Sequence, residues 1–245
     1  MKHSLLKGYI ATVMVLAAAL ATGLGRAYPL TEIGGWLAVL IWTFAVGTQS
    51  VAFPRHRVQI TASDCFVFYC LVVHGPVGGI TAAFVGTLGA MVLGERRLSS
   101  QQAAFNLGAV PLCAGLAGYT FELLRGDSNL LVALLAAAAA FSVVNTLVVS
   151  VALKLEGTAN VRQTLLVPTP GFIISVFVTA VAGGFMARLS EKGPGDWTIA
   201  GIVAICFLVG TVLSLLSERS LDVAGPSHAV TRTKGPKPAS DPLSL

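Results

Sequence analysis

Asp64, Asn106 and Asn145 are polar residues set inside otherwise apolar runs. An ionisable side chain in a bilayer costs at least about 2.5 kcal/mol unless it is partnered or wetted, so such residues mark a clasp between helices or a ligand or proton site. Asp64 stands seven residues from Arg57, Asn106 nine from Arg97 and Asn145 nine from Lys154. At about 1.5 Å per helical residue, each lies roughly 10–14 Å from a basic residue at one end of its span, which puts all three at one level. Ser63, Gln102 and Ser142 fall close to that level and complete the expected polar cluster. Its bland reading is a hydrogen-bonded clasp that fixes helix register, and its sharper reading is a ligand or proton site. Asp64 can also serve as an N-cap if its helix begins late.

The rest of the chain offers little chemistry. Cys65, Cys70, Cys113 and Cys206 form no Cys-x-x-Cys and have no histidine at metal-ligand spacing, so they read as small apolar packing residues. His74 precedes Gly75-Pro76 and reads as an exposed turn histidine. Phosphate loops, nucleophile elbows, zinc signatures and paired catalytic carboxylates are all missing from the sequence. The expectation is a protein that is not an enzyme and takes no cofactor or metal.

The elements that position the polar residues follow from composition. Charged residues are only 11% of the 245, against about 25% in an ordinary globular protein, and hydrophobic residues are 55%. A mean hydropathy of +0.80 agrees. A water-soluble surface cannot be built from so few charges, which excludes a soluble enzyme and a disulfide-stapled secreted domain. The net charge of +5 is no nucleic-acid footprint, because the basic residues are scattered in ones and twos between apolar runs. What remains is a polytopic membrane protein whose first partner is the lipid bilayer.

About 20 apolar helical residues cross a bilayer core about 30 Å thick. The sequence predicts an all-α bundle of eight spans near 5–25, 34–53, 58–74, 76–94, 103–124, 129–153, 168–188 and 197–217. The third is the weakest: it carries Asp64 and stops at His74-Gly75-Pro76, so a short or broken helix joined to the fourth by a tight turn is expected, with seven spans as the alternative. Lys2, His3 and Lys7 before the first run resemble a signal peptide, but that run is long for the role and reads as an uncleaved helix.

With the N-terminus inside, the inner segments hold Lys2, Lys7, Arg55, Arg57, Arg96, Arg97, Lys154, Arg162, Arg219, Arg232, Lys234 and Lys237, and the outer loops only Arg26, Arg125, Arg188 and Lys192. That division of 12 to 4 follows the excess of Lys and Arg on cytoplasmic loops and puts both termini in the cytoplasm. Arg55, Arg57, Arg96 and Arg97 also suit lipid headgroups. The bundle is expected over 1–217, followed by a disordered, proline-rich cytoplasmic tail over 218–245.

Helix association in lipid rests on close contact of small residues. Gly78, Ala82, Gly86, Ala90 and Gly94 recur every four residues and predict a packing face on the fourth span. Pro111 with Gly108, Gly115 and Gly118 predicts a kinked, closely packed fifth span, and the run Ala136–Ala140 a thin sixth.

Two stretches carry a family resemblance: PRHRVQITASDCFVFYCLVVHGPVGG and GERRLSSQQAAFNLGAVPLCAGLAGYTFELLRG. Ser63-Asp64, Gly75-Pro76, Arg96-Arg97 and Phe105-Asn106, with Asn145 in the next helix, resemble the integral membrane sensory module of bacterial GGDEF and HD-GYP cyclic-dinucleotide signalling proteins. The likeness runs over about 50–190. It implies a non-enzymatic sensory or scaffold module in the bacterial inner membrane that couples a membrane or small-ligand signal to a cytoplasmic partner. No output domain follows the last span here, so the expected partner is a separate signalling protein. In size and composition the chain is also similar to the substrate-binding membrane components of vitamin uptake transporters, which implies the alternative: a solute-binding subunit that pairs with a transporter partner.

Overall fold

A computed structural model describes residues 2–30, 33–47, 50–53, 58–61, 63–94, 98–126, 129–157 and 170–192. Six helices form the bundle: α1 (Lys2–Ala27), α2 (Ile33–Val46), α3 (Ser63–Leu93), α4 (Ser100–Arg125), α5 (Leu130–Glu156) and α6 (Pro170–Lys192). Five of them are long and apolar enough to cross a membrane, and α2 is a shorter apolar helix. Between α2 and α3 lies an antiparallel hairpin of β1 (Ser50–Phe53) and β2 (Val58–Thr61), with Ser50 paired to Thr61 and Phe53 to Val58.

The eight expected spans are therefore six helices among the described residues. The count falls by two because the third and fourth expected spans share one helix and the eighth lies outside the described residues, and two spans also change their limits. The second expected span, 34–53, ends as helix at Val46 and continues into β1. The third, 58–74, opens as strand β2 and becomes helical only at Ser63. The third and fourth then share one element, α3, interrupted at Gly75, whose φ of 73° and ψ of −169° are not helical. The eighth expected span, 197–217, and the expected tail lie outside the described residues, as do Arg55, Arg57, Arg96 and Arg97.

Gly75 does more than bend α3. As one straight helix, its 31 residues would extend about 46 Å. Instead a Cβ placed on Gly78 would lie 2.7 Å from the Cys70 carbonyl, one on Gly79 3.2 Å from the Leu71 Cβ, and one on Gly86 3.1 Å from the Ser63 Cβ. Residues 8 and 23 positions apart in sequence touch only if the chain reverses. α3 is thus a helical hairpin with a first arm from Ser63 to His74 and an antiparallel second arm from Pro76 to Leu93. The first arm, about 18 Å long, is too short to cross the bilayer core; the second, about 27 Å, nearly matches it. Glycine supplies the backbone that reversal needs, and Pro76 starts the second arm where its missing N–H costs nothing.

Close backbone contacts fix the helix directions. A Cβ on Gly108 would meet the Met14 Cα at 3.1 Å, and one on Gly115 the Leu20 side chain at 2.6 Å, so α1 and α4 run parallel. Gly118 abuts Pro76 and Gly115 abuts Ile80, so α4 runs opposite to the second arm of α3. α2 lies parallel to that arm, with Trp36 Nε1 donating to Thr81 Oγ1 at 3.3 Å and Gly89 pressed on the Phe44 carbonyl. The Tyr9 hydroxyl donates to the Val148 carbonyl at 2.9 Å, tying the start of α1 to the end of α5. One end of the bundle therefore gathers the starts of α1, α3 and α4 with the ends of α2, α3 and α5. The other carries the Gly75 turn, Arg26 and the Glu122–Arg125 ion pair.

The core is centred on the first arm of α3. Phe66, Val67, Phe68, Tyr69, Cys70 and Leu71 are consecutive and all buried, a pattern expected of a helix enclosed on every side. Large apolar residues such as Val15, Ile41, Val92, Leu123, Val143 and Phe185 are exposed, as lipid-facing positions must be.

Candidate functional site

Three segments meet near the end of the bundle that holds the start of α3. The first arm supplies Ser63, Asp64 and Val67, the second arm Ala82, Ala83, Gly86, Thr87 and Ala90, and α4 supplies Asn106 and Val110. They enclose a half-open pocket of about 220 Å³. Asn106 lies six residues into α4, and Gly86 to Ala90 lie three to seven residues before the end of α3, so the pocket sits about 5–10 Å inside that end of the bundle.

Local structure places each polar group. Helix α3 begins at Ser63, so Asp64 stands in its first turn. The Thr87 hydroxyl donates to the Ala83 carbonyl at 2.8 Å, and Ser63 is buried against Gly86. The pocket exists because residues 82, 83, 86 and 90 of the second arm are alanine or glycine: a larger side chain at any of them would occupy it.

Of the residues expected to cluster, Ser63, Asp64 and Asn106 line this pocket together. Gln102 does not. It closes a capping box at the start of α4, its Oε1 accepting from the Ser99 N–H at 3.1 Å while its own N–H donates to Ser99 Oγ at 3.3 Å. Asn145 is half-buried on α5 and is not among the lining residues, and Ser142 donates to its own Ala138 carbonyl at 2.9 Å. The shared level also changes for Asp64: Val58–Thr61 is extended strand, so helical rise does not measure its separation from Arg57.

The small residues of α3 divide by role. Gly78 faces Cys70 and His74 of its own hairpin, Gly86 faces Ser63 and Thr43, and Ala90 lies against Gly47. Ala82 is fully buried and lines the pocket. Gly94 differs, because a Cβ there would meet the Ala90 carbonyl of its own helix end and no partner helix. Thr87 was missed by sequence reasoning.

Cys65, Cys70 and Cys113 are free thiols, the last two buried. Among the described residues, no three His, Cys, Asp or Glu side chains gather into a metal-binding group.

No family model, curated protein or solved structure matches the chain. The class is set by the fold: a multi-pass helical membrane bundle containing a broken helix, with a polar pocket beside that helix's start.

Proposed function

We propose that this protein is a non-enzymatic sensory module of the bacterial inner membrane, which receives a small signal in the Asp64 pocket and conveys its state to a cytoplasmic signalling partner. One observation carries the reading: Asp64 and Asn106, brought from different helices, converge on a half-open pocket at the start of a helix too short to cross the membrane. The pocket lies between the two arms of the hairpin and α4, so contacts in it bias the position of the short first arm directly. The pocket holds one carboxylate and no second acid or base, which suits binding better than proton-transfer chemistry.

In this reading the bundle end nearest the pocket is cytoplasmic. The connections on either side of α3 carry Arg55, Arg57, Arg96 and Arg97 in sequence, and Lys7 and Lys154 lie towards the same end. The partner is a protein of the cyclic-dinucleotide signalling kind. Crosslinking and capture from native membranes, together with cyclic-dinucleotide levels in a deletion strain, test it. Recovery of a signalling protein and altered levels are expected; capture of none with unchanged levels overturns the reading.

The broken helix also favours a second reading, because discontinuous helices commonly form solute sites in transporters. As a solute-binding subunit, the protein would support uptake of a labelled small metabolite, and deletion would abolish that uptake while leaving cyclic-dinucleotide levels unchanged.

A further inference from the structure

The polar groups of the pocket share one chemical character. An ionised Asp64 only accepts hydrogen bonds. Thr87 has given its proton to the Ala83 carbonyl, so its oxygen is left as an acceptor. Asn106 adds a carboxamide and Ser63 a hydroxyl, each able to accept as well as donate, and no Lys, Arg or His is among the lining residues. An anion would face the Asp64 carboxylate with nothing to balance it. A single carboxylate balances a single positive charge, and its cheapest partner in a poorly solvated site is a monovalent cation.

Size and wall chemistry narrow the cation. At about 220 Å³, the pocket has room for a molecule of several non-hydrogen atoms. A bare metal ion would fill a small part of it and would leave the apolar walls of Val67, Ala83, Ala90 and Val110 against water. A primary ammonium group has three N–H donors, and Asp64, Thr87, Asn106 and Ser63 all offer it acceptors. Its alkyl chain suits the walls. We propose that the pocket binds a small primary alkylammonium ion, its nitrogen on Asp64, Asn106 and Thr87 and its chain against Val67 and Val110. This inference rests on the reading of the pocket as the signal-binding site.

The test uses the purified full chain in detergent and chloride salts at fixed ionic strength: methylammonium, propylammonium, hexylammonium, tetramethylammonium and sodium. Propylammonium is expected to raise Tm saturably, by about 5 °C or more at a hundredfold excess over Kd. Tetramethylammonium, which has no N–H donor, and sodium should give no saturable rise. Asp64→Asn should abolish the response. Val110→Ala keeps the charge, enlarges the pocket and should move the preferred chain length upward, so a poorly folded Asp64 variant does not end the test. An equal response to sodium, an equal response to tetramethylammonium, or a propylammonium response unchanged in both variants overturns the proposal. The two readings fail separately. Asp64-dependent ammonium binding without any signalling phenotype overturns the sensory role and keeps the ligand; a signalling phenotype of Asp64→Asn without ammonium binding does the reverse.

Discussion

Asp64 is the residue on which the chemistry turns, and two substitutions separate its roles. Asp64→Asn keeps shape and hydrogen bonding and removes the charge, so the bundle should retain a Tm in detergent close to that of the wild type while the signalling output is lost. Asp64→Leu also fills part of the pocket with an apolar side chain beside Asn106 and should lower Tm, although modestly, since polar pairs in membrane bundles average about 0.6 kcal/mol. Equal behaviour of both variants in both assays would reduce the pocket to an accident of packing. Gln102 shows the opposite case. Its capping box with Ser99 makes Ser99→Ala a stability variant, expected to cost about 1 kcal/mol and to leave the output intact. Asp64, Ser63 and Asn106 were legible in the sequence because a polar group in an apolar run must be explained. Thr87 was not, because a threonine in a helix satisfies its hydroxyl on its own backbone and so leaves no anomaly to notice. Gln102 was readable in principle from Ser99-x-x-Gln102, a start signal overlooked in favour of its depth.

At the scale of elements, the reversal in α3 was legible from Gly75-Pro76, and the β hairpin was not. Ser50–Phe53 and Val58–Thr61 each continue the apolar character of the helix beside them, and hydropathy alone does not tell a short apolar strand from the end of a span. The pairing is local, Ser50 with Thr61 to Phe53 with Val58, but four-residue strands are too short for alternation to declare them. The hairpin in α3 makes a sharp prediction. At φ 73° and ψ −169°, Gly75 occupies a region essentially closed to other residues, so Gly75→Ala should destabilise the fold by about 1–3 kcal/mol, read as a fall in Tm. Space alone would permit the methyl group, since its nearest neighbour would be Glu122 Oε1 at 4.0 Å, so the loss reports backbone conformation. Gly89→Ala fails for the other reason. Its Cβ would collide with the Phe44 carbonyl and separate α2 from α3, so loss of folded protein is expected, while Gly35→Ala on the open side of α2 should be tolerated. The four-residue spacing of small residues was readable, but not which neighbour each one meets: Gly78 serves its own hairpin and Gly86 serves two partners.

For the whole molecule, the reversal decides which parts of the chain share a side of the membrane. A straight α3 would cross once and leave Gln59 and Gly94 on opposite sides. A hairpin returns them to the same side, because the first arm goes in only about 18 Å before Gly75 turns the chain back. The parallel course of α1 and α4, and the approach of Tyr9 to Val148, then put the start of α1 and the end of α5 at that same end. The described charges follow the division: Lys7 and Lys154 towards one end, Arg26 and Arg125 at the other. Impermeant maleimide labelling of single cysteines measures this directly. Gln59→Cys and Gly94→Cys should both be protected in intact cells and react in inverted membranes, whereas Gly126→Cys at the end of α4 should react in intact cells. Reaction of Gln59→Cys and Gly94→Cys from opposite sides would mean that α3 crosses once, and the pocket, which needs the first arm folded back on the second, would fall with it.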